Sequence, residues 1–275
     1  MIKFSLALSL SLAAGGAAYG ADVELWRLDC GAISLGDMGA FSDNFAYESA
    51  QKVLTNSCYV IRHDAEYLLW DAGFPAALLG APLDPAAPIS MSLTADLPSQ
   101  LAQIEVTPAM IGLVGISHGH FDHTGQASSF PQATLLIGQA DFAAMAQTPP
   151  PFSFNPASLD HWLNGNGAVE PISGDHDVFG DGSVTLLSMP GHTDGELALL
   201  VRLAETGPVL LSGDVVHFHE QFAAKSIPPF NANRAESLAS MARMQEIAQN
   251  LNARLVIQHD PNDIAKLPAF PESAK

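Results

Sequence analysis

The sequence predicts an α/β fold, and three observations predict it. Short apolar runs of strand length recur along the chain, one longer segment carries its apolar residues at helical spacing, and four of the apolar runs end in a loop bearing histidine or aspartate. With 275 residues, 48% of them apolar, the chain is long enough to bury one large core. Residues 21–275 are therefore read as a single domain.

Taken in order, the first twenty residues read as a cleavable secretory signal. Lys3 precedes the apolar stretch Phe4 to Ala14, and small residues lead to Ala18-Tyr19-Gly20. The stretch is too short to span a bilayer comfortably and nothing later approaches a spanning helix, so no stable membrane anchor is expected. The mature chain is expected to be exported, in the periplasm or secreted. Val23 to Leu28, Ser57 to Arg62 and Tyr67 to Asp71 read as strands, the last leaving through Asp71-Ala72-Gly73. Between the first two, Gly36 to Val53 is polar with Phe41, Phe45 and Tyr47 interleaved, which reads as a long loop or lid. Cys30 and Cys58 are the only cysteines; an oxidising compartment permits a disulfide, and two buried thiols on adjacent strands are the alternative.

Three prolines between Gly80 and Pro88 exclude a regular helix there, and Leu97 to Ile104 reads as a short helix. Thr148 to Pro156 is a proline-rich connection whose Phe152 and Phe154 either pin the loop or line a pocket. The clearest helix is Arg234 to Leu251, with Leu238, Met241, Met244, Ala248 and Leu251 on one face, Asn233 as cap and Glu236 placed for a capping box.

The apolar run Ile111 to Ile116 is followed by Ser117-His118-Gly119-His120-Phe121-Asp122-His123-Thr124-Gly125. Three imidazoles and a carboxylate within six residues form a metal cradle, in which His118 and His120 turn to one side and Asp122 and His123 to another. Imidazole suits Zn, Fe, Co and Ni, whereas Mg or Ca sites are carboxylate-rich. Zinc is the first choice. Further donors follow at the ends of later apolar runs: His192 after Val184 to Met189, Asp214 after Pro208 to Leu211, and His259 after Arg254 to Ile257. His63, His161 and His176 have no such context.

The ordered set HxHxDH, PGHT, SGD and QHD resembles the metallo-β-lactamase superfamily over most of the chain after about residue 22. The resemblance implies an αββα four-layer sandwich of two mixed sheets flanked by helices. It also implies two zinc ions, with Fe, Co or Mn as other candidates. His118, His120 and His192 would bind one, Asp122, His123 and His259 the other, and Asp214 would bridge them. Asp71 falls where the family has an aspartate that orients a ligand imidazole; a plain turn residue is the alternative. Members that hydrolyse β-lactams usually lack the bridging aspartate, so Asp214 directs the reading towards the lactonase, glyoxalase II and phosphodiesterase branches.

The formal charge of −18, one unit more negative once Lys3 is removed, argues against a nucleic-acid substrate, which needs a basic footprint. A neutral small molecule is expected. Within the resemblance, a bridging hydroxide is the nucleophile, Asp122 holds it and shuttles a proton, and Asp214 fixes the metal separation. Related acyl-homoserine lactonases carry a tyrosine three residues after the bridging aspartate, donating to the substrate carbonyl. Here His217 stands in that place, and the role either persists with a different donor or is absent; His219 reads as a bystander. The leading expectation is an exported N-acyl-homoserine lactonase-like hydrolase (quorum quenching). The alternative is an aryl-esterase or organophosphate triesterase, followed by a β-lactamase or a non-catalytic zinc-binding protein. A homodimer is left open.

Overall fold

The computed structural model describes residues 20–275, so the expected signal segment lies outside the described residues except for Gly20. The first sheet contains β1 (Val23–Leu35), β2 (Lys52–His63), β3 (Glu66–Trp70), β4 (Ile89–Ser92), β5 (Ile111–Ile116), β6 (Thr134–Gly138) and β7 (Val169–Ile172), in the spatial order β4-β1-β2-β3-β5-β6-β7. The pairs from β4 to β3 are antiparallel and those from β3 to β7 are parallel. The second sheet contains β8 (His176–Asp177), β9 (Val184–Ser188), β10 (Leu197–Leu203), β11 (Gly207–Leu211) and β12 (Arg254–Val256), in the order β12-β11-β10-β9-β8. Only β11 and β12 are parallel neighbours there.

The strict alternation of a strand sends successive side chains to opposite faces. In β2, Tyr59 and Ile61 face the second sheet, while Cys58 and Val60 face outwards. In β10, Leu197, Leu199 and Val201 face the first sheet, while Ala198 and Leu200 face outwards. The outer face of the first sheet is covered from α1 (Leu97–Leu101), α3 (Gln139–Met145) and α4 (Asp160–Leu163) through Leu97, Leu101, Met145 and Trp162. That of the second is covered by α6 (Arg234–Leu251) through Leu238, Met241, Met244 and Ala248. Two shorter helices, α2 (Phe121–Thr124) and α5 (Glu220–Ala224), lie beside the predicted ligands. The result is the four-layer αββα sandwich that the resemblance implies.

Helix α6 has the predicted bounds. Asn233 accepts the backbone N–H groups of Ala235 and Glu236 at its start, and Asn252 ends it in the left-handed region. The predicted helix Leu97 to Ile104 instead splits into α1 and a 3₁₀ turn, Ala102–Ile104. Strands β1 and β2 are both longer than the apolar runs that announce them. The buried Thr55, Asn56 and Ser57 interrupt the apolar pattern of β2, yet their polar groups are used. Arg27 donates to Ser57 and Thr55, and Asn56 donates to the Asp122 carbonyl. The interval read as a lid therefore shrinks, and it is anchored by Phe41 and Tyr47 against Phe218. Cys30 and Cys58 form a disulfide that ties β1 to β2. Among the described residues no helix is long and apolar enough to cross a membrane.

Candidate metal centre

Strands β3 and β5 run in one direction, as do β9, β11 and β12 in the other sheet, and the loops at their carboxyl ends meet along one edge of the sandwich. The order of the chain thus becomes a cluster. β5 delivers His118 and, through α2, His120, Asp122 and His123; β9 delivers His192; β11 delivers Asp214; β12 delivers His259. All seven are buried, and they separate into two donor sets.

In the first set, His192 Nε2 lies 3.2 Å from His118 Nε2 and 3.1 Å from His120 Nδ1. In the second, His123 Nε2 and His259 Nε2 are 3.2 Å apart, with Asp122 Oδ2 at 3.6 and 3.8 Å from them. Asp214 stands between. Its Oδ2 is 3.7 Å from His118 Nε2 and 3.5 Å from His192 Nε2, while its Oδ1 is 3.4 Å from His123 Nε2 and 3.0 Å from His259 Nε2. One carboxylate therefore presents one oxygen to each set.

The outer nitrogens of these rings decide what the inner ones offer. His259 Nδ1 is 2.7 Å from the Thr55 carbonyl, His192 Nδ1 is 2.9 Å from Asn231 Oδ1, and His123 Nδ1 is 2.9 Å from Asp71 Oδ2. His118 Nδ1 faces Ser117 Oγ at 3.1 Å and Glu196 Oε2 at 3.3 Å. An oxygen acceptor at Nδ1 fixes the ring proton there and leaves the Nε2 lone pair aimed inwards. In the deprotonated form that a metal requires, these Nε2 atoms meet in two pairs, His118 with His192 and His123 with His259, each 3.2 Å apart, close to the edge of about 3.3 Å of a tetrahedron with metal–nitrogen bonds of about 2.0–2.1 Å. Asp214 Oδ1 is also buried without a hydrogen-bond partner. Converging lone pairs and an unsatisfied carboxylate oxygen are what cations satisfy, so the residues fit a pair of first-row metal ions.

Asp71 sits at the end of β3 with φ 60° and gathers donors from both sheets. Its Oδ1 accepts the Ser117 N–H, and its Oδ2 accepts from Ser117 Oγ, Gln258 Nε2 and His123 Nδ1. Two other buried carboxyls, which no sequence motif marks, play similar parts. Asp141 accepts from Gly119 N, Thr193 Oγ1 and Gly195 N, fixing the loops that bear His120 and His192. Glu196 accepts the backbone N–H of Asp214 while facing His118. Glu196 lies four residues after His192, close enough for a search around each ligand, whereas Asp141 lies 18 residues after His123, the last ligand of the cradle. At Gly213, φ is +53° and a Cβ would collide with Glu196, so the turn that presents Asp214 requires glycine.

The two sets differ electrostatically. Burial, and then the neighbouring imidazoles, hold His118 and His192 well below the usual histidine range, and His120 is lowered to about 4 chiefly by burial. Burial is the largest influence on His123 and His259 too and opposes their charged form, but the carboxylates around them, Asp214 first, together outweigh it, and both are raised. Asp214 itself is held well below the carboxylate range: burial would raise it, and the surrounding imidazoles, His259 first, prevail.

Above this floor opens a cavity of about 470 Å³. His120, Asp122, His192, Asp214, His217 and His259 form its polar end, and Ile33, Leu35, Phe41, Leu54, Met91, Phe121, Phe152 and Phe230 its apolar walls. Both aromatics of the proline-rich connection turn to the site: Phe152 is exposed at the mouth, and Phe154 packs edge-on against His120 and also against the core. His217 lies beside the first set, with Nε2 3.2 Å from Asp214 Oδ2. His219 points elsewhere, to Asp263. His63 pairs with Asp181, His176 with Glu170, and His161 packs on Trp162, all outside the cluster.

Residues 52–259 match the family model described as "Metallo-beta-lactamase superfamily". The N-acyl homoserine lactonase AttM of Agrobacterium fabrum (strain C58 / ATCC 33970) is 32% identical over 181 residues, covering 63% of this chain and 67% of that protein. An N-acyl homoserine lactonase of Bacillus sp is 25% identical over 222 residues, covering 78% and 85%. The solved structure of an N-acyl homoserine lactone hydrolase, with the product N-hexanoyl-L-homoserine bound at its catalytic metal centre, superposes with a TM-score of 0.75. It is 21% identical, with 91% of this chain and 98% of that one covered, and at that identity the likeness carries the fold.

Proposed function

Because this chain belongs to the metallo-β-lactamase superfamily and is a metal-dependent hydrolase, we propose that it opens lactone rings, N-acyl homoserine lactones foremost, at a two-metal centre. The observation that carries this reading is Asp214, one oxygen towards each donor set, at the polar end of a cavity with apolar walls. A compact polar head with an apolar tail matches that division. Zinc is the proposed metal at both positions, with Fe, Co or Mn as the other candidates. Two ions held by His118, His120, His192, Asp122, His123, His259 and Asp214 would supply a water activated at neutral pH and polarisation of the scissile carbonyl.

The protein's own groups account for the remaining work. Asp122 Oδ2 faces both His123 and the cavity, where it can take the proton of the attacking water and deliver it to the ring oxygen as that leaves. Asn56 holds the Asp122 backbone through its carbonyl, Asp71 orients the imidazole of His123, and Ser117 orients that of His118, with Glu196 beside it. The apolar walls hold the tail and exclude water.

The reading is tested on zinc-loaded protein with a panel of acyl-homoserine lactones, an aryl ester, a phosphotriester and a β-lactam. Ring opening of the lactones is expected, and failure across all acyl-chain lengths overturns it. Aromatic walls at Phe41, Phe152 and Phe230 favour aryl esters or aryl phosphotriesters as a second reading, which turnover of those substrates alone would establish. Export is proposed as well, with residues 1–20 removed; the Cys30–Cys58 disulfide supports an oxidising destination. A mature N-terminus at Ala21 in a periplasmic or culture fraction is the expected result.

A further inference from the structure

We infer that His217 is itself a metal ligand, a sixth imidazole that gives the first donor set five protein donors. This rests on the two-metal reading above. The ring is buried, and its Nε2 lies 3.2 Å from Asp214 Oδ2, the oxygen turned to His118 and His192. His192, Asp214 and His217 form a group whose ligating atoms all lie within 4.8 Å of one another.

The hydrogen-bonding of the ring points the same way. Gln221 Oε1 accepts the backbone N–H of His217 at 2.5 Å, which fixes the side-chain amide with its oxygen towards His217. The ring Nδ1 is 3.3 Å from that same oxygen, so a proton on Nδ1 has its acceptor there and Nε2 is left to turn its lone pair to Asp214. His192 is locked by the same device, an oxygen at Nδ1 and its Nε2 turned to Asp214. One metal ion between them would satisfy both the His217 Nε2 lone pair and the buried carboxylate oxygen 3.2 Å from it. In that tautomer the nitrogen facing the centre has no proton to donate to a substrate carbonyl. Phe41, at 5.0 Å edge-on, and His259, stacked at 5.9 Å, hold the ring on either side.

The consequence is an unequal pair of sites. His118, His120, His192, His217 and Asp214 exceed the four ligands of a tetrahedral zinc site and suit an ion that accepts five or six. Asp122, His123, His259 and Asp214 do not exceed four.

Cobalt(II) titration of the metal-free protein tests this through visible d–d absorption and binding stoichiometry, independently of turnover. Two equivalents are expected to bind to the unsubstituted chain, one of them with the weak bands of a high-coordinate ion. In His217→Ala and in His217→Gln, that equivalent should bind at least about tenfold more weakly and acquire the stronger bands of lower coordination. Added imidazole should reverse the change in His217→Ala, whose cavity admits it. Two equivalents with unaltered affinity and spectrum in both variants would overturn the inference while leaving the two-metal reading intact. Failure of the unsubstituted chain to bind two equivalents would overturn both.

Discussion

The two donor sets that share Asp214 are made of similar residues but stand in opposite electrostatic surroundings. His118, His120 and His192 face mainly one another, and burial keeps them neutral. His123 and His259 face Asp122 and Asp214, with Asp71 behind His123, and these carboxylates raise their affinity for a proton. The lesson is that the proton affinity of a buried imidazole is set by the carboxylates around it. Without metal, the set rich in carboxylates draws protons and the set rich in imidazoles does not.

The sharpest way to separate the sets is Asp122→Asn. It keeps the shape of the second set but removes the group that moves the proton, so kcat should fall by about 10²–10⁴-fold even in excess metal, with far-ultraviolet circular dichroism unchanged. Recovery of activity in excess metal would instead make Asp122 purely a ligand. Next come Asp71→Asn and Glu196→Gln, which act behind one imidazole of each set. Each should weaken one ion by about 10–100-fold, Asp71→Asn the second and Glu196→Gln the first, as followed by competition with a chelator. If both variants release the same ion, the division into two sets is wrong.

A smaller effect is expected from pH. His123 and His259 have raised affinities, so protons compete for them already above the usual histidine range, whereas His120 stays unprotonated to about 4. As pH falls, the ion of the second set should therefore leave first, seen as a two-step loss of cobalt absorption. In the metal-free protein the signs also oppose. The lowered histidines cost stability as pH falls below their unfolded value, because the unfolded chain takes up the protons. The raised pair stabilises at low pH, and that contribution is lost as pH rises through their folded values. The smallest effect on the centre should come from Met244→Ala on the buried face of α6, in the core outside the second sheet. It should cost about 2–5 kcal/mol in denaturant unfolding with kcat unchanged.

The cradle was legible in the sequence because four of its ligands are contiguous and the other three stand directly after apolar runs. Helix α6 was legible for a similar reason, its cap and its spacing being local. What was not legible depends on contacts between segments far apart in the chain. Asn56 reads as a break in β2 until its amide is seen on the Asp122 carbonyl, 66 residues on. Asp141 reads as an ordinary acid of α3, yet it is buried and raised to about 6, chiefly by that burial, while gathering three donors from two ligand loops. The alternatives for Phe152 and Phe154 were both partly right, since Phe154 packs on the core and on His120 at once.

Site-bearing loops in most folds are among the first segments to open. Here the backbone amides of the ligand loops donate to buried carboxyls, Ser117 to Asp71, Gly119 and Gly195 to Asp141, and Asp214 to Glu196, while Leu197 donates to the Ser117 carbonyl across the two sheets. In hydrogen-exchange experiments these loop amides should be among the slowest in the molecule, exchanging only when the whole sandwich unfolds.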